Sequence, residues 1–278
     1  MSTLNTDFQI DGFLLIEAYL DSTELRQLRD LVEAKLASPS HEETCKRPHN
    51  TLVPLRWNDP VLGLIATEQR GKILADALQA DDLKWISAYI SVKEPHSPPL
   101  WWHQDWWCWD HPATYLPATT QVAVLVYLAD TSADNGGLRV LPGSHRKSST
   151  IHALLPEAHS AAAEELKLEH PAFNDLPDQR TLCVRAGDAV VLDYRLLHGT
   201  HANHRDDRRD CVLLSFTPCW KRLPRDIKAH LIAHPAQPTG PEWTTVPIGL
   251  RKLLPSFDGG HRDLPLNRNA PSIFEVVG

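Results

Sequence analysis

The sequence predicts a mainly β protein with appended helices, its core an antiparallel double-sheet jelly roll. Three observations predict it. Strand-like runs of β-branched and aromatic residues crowd the middle of the chain, at 84–93 (KWISAYISVK), 121–128 (QVAVLVYL), 189–194 (AVVLDY) and 211–217 (CVLLSFT). Turn signals punctuate the chain there, at Asn135-Gly136-Gly137, Pro142-Gly143 and Ala186-Gly187-Asp188. Helical patterns precede the strands instead of alternating with them, which argues against a doubly wound parallel sheet.

The elements follow in order. Residues 21–37 form an amphipathic helix, because Leu25, Leu28, Val32 and Leu36 recur at helical spacing and Asp21 with Glu24 makes a capping box. A second helix falls within 60–80, where Ile73, Leu74 and Leu78 share a face. Residues 1–83 are therefore expected to be mainly helical and 84–217 to be the jelly-roll core. A third helix is expected over 156–169 (PEAHSAAAEELKLE), with Pro156 in its first turn. Residues 218–278 carry nine prolines, which a regular sheet does not tolerate. They read as a wrap over the same single domain, with short helical turns near 223–233, and 218–245, with Trp220 and Trp243, is expected to help close the site.

At 278 residues, with 42% hydrophobic and 23% charged, the chain buries a core without disulfide staples. Its net charge is −7, and Asp206 and Asp207 interrupt the one basic run at Arg205–Arg209, so nucleic acid is not the expected partner. No apolar run is long enough to span a membrane. The five cysteines are odd in number, with no CxxC pair, and the first residues lack the basic and apolar parts of a signal peptide. A reducing, cytoplasmic setting is expected.

The chemistry is concentrated at Trp102-His103-Gln104-Asp105. On an extended strand His103 and Asp105 point the same way and offer an imidazole and a carboxylate side by side. Alone, an HxD is more often a surface pair. Here His198, followed by Gly199, stands at the far end of the strand that opens after Gly187 and supplies a third ligand. Two histidines and one carboxylate form the facial triad of non-haem iron(II) oxygenases, which leaves positions for a bidentate co-substrate and dioxygen. A keto-acid also needs a cation for its distal carboxylate. Arg209, at the start of the next strand, has the planar fork for it, and alternation lets only one of Arg208 and Arg209 face inward.

Together WHQD, NGGLRVLPGSH (135–145) and the AGD…HGT…R stretch (186–209) make the chain, over about residues 8–217, resemble the phytanoyl-CoA dioxygenase family of iron(II)- and 2-oxoglutarate-dependent oxygenases. The resemblance implies a double-stranded β-helix (cupin-like) core. It implies His103, Asp105 and His198 as iron ligands and Arg209 as the 2-oxoglutarate anchor. Thr200, Tyr89 and Lys93 match positions near the co-substrate in relatives. His145, His201 and His204 are left as structural or solvated residues.

Trp101, Trp102, Trp106, Trp107 and Trp109 fall within nine positions. Trp102 should face away from His103. Trp106, Trp107 and Trp109 follow the ligands directly and are expected to line the substrate pocket, where flat faces suit rings. Asp134 and Asp110 are expected to add acceptors at its mouth and to favour a neutral or cationic substrate. The expected activity is oxidation of an unactivated C–H bond of a small polar, ring-bearing metabolite of specialised metabolism, with no nucleic-acid or membrane partner. The alternatives are a phytanoyl-CoA-type acyl-CoA hydroxylase, a zinc hydrolase that leaves Arg209 without a task, and a non-catalytic jelly-roll binding or sensor protein that has no need of an intact triad. Asp105 fills the position that a halogenase leaves to chloride.

Overall fold

The computed structural model describes residues 7–38 and 44–276. Its strands are β1 (Phe13–Ile16), β2 (Cys45–Lys46), β3 (Thr51–Leu55), β4 (Lys84–Lys93), β5 (Leu100–His103), β6 (Val122–Tyr127), β7 (Leu138–Val140), β8 (Arg180–Leu182), β9 (Ala189–Asp193), β10 (His198–Thr200) and β11 (Arg209–Thr217). Its helices are α1 (Phe8–Asp11), α2 (Ser22–Leu36), α3 (Pro60–Ile65), α4 (Glu68–Leu78), α5 (Ala161–Glu164), α6 (Arg225–Leu231) and α7 (Ile248–Arg251). Seven strands make one antiparallel sheet in the order β1-β9-β6-β11-β4-β3-β2, and four make a smaller one in the order β5-β10-β7-β8. This is the jelly roll the strand pattern predicts.

Side-chain alternation divides the large sheet into two faces. Even positions on β4, β6 and β11 (Ala88, Ile90, Val92; Val122, Val124, Val126; Val212, Leu214) join the main core with Leu28 and Val32 of α2, Leu62 and Ile65 of α3 and Leu74 of α4. Odd positions (Tyr89, Ser91, Lys93; Leu125, Tyr127; Arg209, Cys211, Leu213) line a cavity, whose other wall includes Leu100, His103, Leu138, His198 and Thr200 of the small sheet. One face of the sheet thus serves stability and the other chemistry. The capping box on α2 forms as expected, with Asp21 accepting from the Thr23 and Glu24 backbones and Glu24 returning a bond to Asp21 N–H.

Two expectations need correction. Residues 1–83 hold helices α1–α4, but the jelly roll does not begin at 84: β1, β2 and β3 also add to the large sheet, β1 pairing with β9 from Phe13↔Leu192 to Ile16↔Ala189. These strands span two to five residues, too few for a period-2 pattern to show. The helix expected over 156–169 shrinks to α5. His159 stands just before its N-cap, Ser160, with φ 61°, a left-handed value that a continuous helix cannot contain. The tail is bonded to β4: Leu253 accepts a hydrogen bond from Trp85 N–H at 2.7 Å, and Gln237 Nε2 donates to the Trp85 and Ile86 carbonyls.

Candidate active site

His103 closes β5 and His198 opens β10, and the two residues pair directly across the small sheet. Asp105 lies two residues past β5. The metal-binding atoms of the three all lie within 4.8 Å of one another. Each histidine donates its Nδ1–H to the carbonyl two residues back, His103 to Trp101 and His198 to Leu196, both at 3.0 Å. That fixes the tautomer and leaves both Nε2 lone pairs facing Asp105. His103 Nε2 lies 3.7 Å from Asp105 Oδ1, and His198 Nε2 3.7 Å from Oδ2. These gaps are too long for hydrogen bonds and suit three ligands around one ion. Burial and the neighbouring His198 push the His103 pKa well below its ordinary value, which keeps the ring neutral and able to ligate. Burial alone would raise Asp105, but His198, the His159 hydrogen bond and His103 together hold its carboxyl well below the usual range.

Arg209 is 3% exposed and lines the same cavity. Its guanidinium donates to the Gly136 carbonyl at 2.9 Å, lies 5.4 Å from the centre of the Tyr127 ring, and keeps Nε without a partner. No carboxylate pairs with it among the described residues. A buried cation without a counter-ion, beside a metal triad, fits a keto-dicarboxylate. Arg208 turns outward to Glu33 and Asp210, as alternation requires. Lys93 pairs with Arg209 in the β4–β11 ladder, is 1% exposed, and donates to the His49 and Pro98 carbonyls. Burial, with Arg209 and Arg139 nearby, lowers its pKa to about 7. Gly136 makes room for it: at φ +77°, an added Cβ would sit 2.7 Å from Lys93 Cγ. Thr200 and Tyr89 also line the cavity, Thr200 Oγ1 accepting from Leu100 N–H at 3.4 Å.

The tryptophans divide. Trp107 lines the cavity, donates to Gln121 Oε1 at 2.9 Å and stacks on His230 with ring centres 4.5 Å apart. Trp106 and Trp109 do not line it. Trp106 is buried against Thr114, to which its Nε1 donates, and Trp109 packs on Phe274. Trp102 turns away from His103, as expected, and donates to the Asn174 carbonyl. Asp134 is exposed and paired with Arg205, and Asp110 accepts from Asn267; neither lines the cavity. The expected acidic mouth is therefore absent from the cavity wall. Asp105 is its one carboxylate among the described residues, against Arg47, Lys93, Arg209 and Arg268.

His145, whose Nε2–H donates to the Gln9 carbonyl, and His201, bonded to Thr181, are structural. His159 was not legible in sequence. Its Nε2 lies 3.0 Å from Asp105 Oδ1, and its Nδ1 3.2 Å from an Arg47 nitrogen. Arg47 can only donate, so Nδ1 accepts and Nε2–H donates to Asp105. Arg47 is in turn held by Glu164 at 2.8 Å. His230, Leu231 and His234, on or just after α6, and Leu266 and Arg268 of the tail also line the cavity.

The family described as phytanoyl-CoA dioxygenase (PhyH) matches residues 8–211, a span that contains the triad and Arg209. The chain belongs to this family. As a member it is an iron(II)- and 2-oxoglutarate-dependent dioxygenase. An ectoine dioxygenase of Bordetella parapertussis is 26% identical over 70% of this chain and 68% of its own length. A probable alpha-ketoglutarate-dependent hypophosphite dioxygenase of Stutzerimonas stutzeri is 24% identical over 74% of each chain. Among solved structures, HygX from Streptomyces hygroscopicus, with nickel, 2-oxoglutarate and hygromycin B bound, shares the fold with a TM-score of 0.54, 21% identity, and coverage of 76% of this chain and 84% of its own.

Proposed function

We propose that His103, Asp105 and His198 hold the iron, that Arg209 with Lys93, Thr200 and Tyr89 receives 2-oxoglutarate, and that the protein oxidises an unactivated C–H bond of a small polar, ring-bearing metabolite of specialised metabolism. The observation that carries this reading is the buried, carboxylate-free Arg209 in the same cavity as the triad. The bound iron supplies activation of dioxygen at the expense of 2-oxoglutarate. The chain's own residues position and enclose. Arg209 offers two parallel N–H donors to a carboxylate. Trp107 stacked on His230 forms a flat wall suited to a ring. The cavity of about 450 Å³ has the size of a small-molecule site. Residues 230–234 and 266–268 roof it against water.

The relatives' names favour compact substrates: one acts on ectoine, another on hypophosphite. HygX holds the ring-bearing hygromycin B. The test is anaerobic addition of 2-oxoglutarate to the iron-loaded protein. A weak visible metal-to-ligand charge-transfer band is expected, and Arg209→Ala should shift its half-saturation to much higher 2-oxoglutarate. A colourless mixture at saturating co-substrate would sink the assignment. A screen of cyclic metabolites for coupled succinate release then identifies the substrate.

A further inference from the structure

We propose that Arg268 is an anion-binding residue for the substrate, so that the molecule oxidised carries a carboxylate or a comparable oxyanion. The proposal rests on the reading that 2-oxoglutarate occupies the Arg209 end of the cavity. Charge balance leads to it. A divalent iron ion with Asp105 would leave one positive charge and Arg209 adds a second, so a 2-oxoglutarate dianion is used up at that end of the cavity and leaves no charge for Arg268. Arg47 is already neutralised by Glu164 at 2.8 Å. Arg268 has no such partner: among the described residues its guanidinium makes no hydrogen bond or ion pair, and the Glu157 carboxylate accepts only its backbone N–H, at 3.4 Å. Any anion that enters finds an uncompensated, partly buried cation.

The arginine is also held in place. The tail is stitched to the segment just past the triad, Asn267 N–H donating to the Trp107 carbonyl at 2.9 Å and Trp109 N–H to the Asn267 carbonyl at 3.0 Å. Ala158 N–H donates to the Arg268 carbonyl at 3.4 Å. Arg268 therefore lines the same cavity as Trp107, His230, Tyr89 and Tyr194. A guanidinium beside a flat aromatic wall recognises a ring that bears an acid group.

The test uses full-length protein saturated with Ni(II) and 2-oxoglutarate, titrated calorimetrically with benzoate, cyclopentanecarboxylate and L-proline, each against its carboxamide. Wild type should bind the acids at least about tenfold more tightly than the amides, a difference of about 1.4 kcal/mol. Arg268→Gln should bring the acids to within about twofold of the amides and leave Ni(II) and 2-oxoglutarate affinities unchanged, and Arg268→Lys should restore part of the preference. Methylphosphonate and phosphite form a second arm; tighter binding there, lost in Arg268→Gln, supports the same site and makes the substrate a phosphorus oxyanion. Equal binding of acids and amides, a preference that survives Arg268→Gln, or no anion bound by the loaded wild type would each overturn the proposal. Failure of the wild type to take up Ni(II) and 2-oxoglutarate would instead overturn the co-substrate reading beneath it.

Discussion

The floor of the cavity and its roof are built differently. The floor hangs from paired strands: His103 and His198 face each other across β5 and β10, and Arg209 and Lys93 across β11 and β4. The roof comes from loops and short helices: His159 from the segment before α5, His230 on α6, Arg268 near the end of the tail. Backbone ladders fix floor side chains to a register, and a slip of one residue would turn all of them away. Roof side chains are fixed by a few side-chain and backbone bonds. The floor carries chemistry common to a family, and the roof carries what can differ between its members.

Substitutions can sharpen or break this contrast. The largest effect is expected at the triad: His103→Ala, Asp105→Ala and His198→Ala should each cost about 10³-fold or more in turnover, as for groups that act as a unit, while far-ultraviolet circular dichroism stays native. Normal metal uptake by all three would move the site elsewhere. Next, Arg209→Ala should weaken 2-oxoglutarate by about 2–5 kcal/mol in a binding titration, the cost of truncating one member of a buried charge pair. Arg208→Ala, which loses partly exposed pairs with Glu33 and Asp210, should leave co-substrate binding alone and change stability by about 1 kcal/mol or less. The reverse ranking would break the register argument.

The tryptophans test where floor gives way to core. Trp106→Leu and Trp109→Leu should each destabilise by roughly 2–4 kcal/mol in urea unfolding, somewhat less than the roughly 3–5 kcal/mol for truncation of buried aromatics to alanine. Trp107→Leu should cost less stability and instead uncouple 2-oxoglutarate consumption from product. On the roof, His159→Ala should lower metal affinity by about 10–100-fold, the range for partners of ligating groups, and His159→Gln, whose amide can also donate, should recover most of it. Unchanged affinity in the alanine variant would show that the floor needs no support from above.

The smallest effect is a pH dependence. Burial lowers the Lys93 pKa from 10.5 to about 7 in the fold. Between those values the unfolded chain holds the proton and the folded one does not, so this residue makes the unliganded protein more stable as pH rises. A bound dianion favours charged Lys93, so 2-oxoglutarate binding takes up a proton. Its affinity should fall several-fold from pH 7 to 9, by no more than about tenfold per pH unit, and Lys93→Met should flatten that slope.

What could be read from sequence follows the same division. Alternation on one strand separates Arg209 from Arg208, because it is local and needs no knowledge of the partner strand. It accounts less well for the triad, since Asp105 lies past the end of β5 and His198 is not on the strand that opens after Gly187 (β9) but on the separate β10 of the small sheet. The same rule placed Trp102 opposite His103. Trp106 and Trp109 were misplaced because alternation ends with β5, and what buries them comes from residues 114 and 274. Proximity to the Asn135-Gly136-Gly137 motif suggests Asp134 for the mouth, but its partner Arg205, in the loop before β11, draws it to the surface. His159 sits in a run of alanine and glutamate that reads as a helix, and only its contacts with Asp105 and Arg47 reveal it. Arg268 is one cation in a proline-rich tail, with no periodicity to mark which way it turns.

The proposed iron ligands His103 and His198 lie on the small sheet, whereas Arg209 and Lys93, proposed for the co-substrate, lie on the large one. Two packed sheets keep a spacing of about 10 Å set by their side chains. The fold therefore acts as a gauge for the keto-acid, passing a backbone of one length and failing those too short to touch both jaws or too long to close between them. Because the paired strands rather than the roof set that gauge, roof segments are free to diverge toward new substrates without recalibrating the fuel.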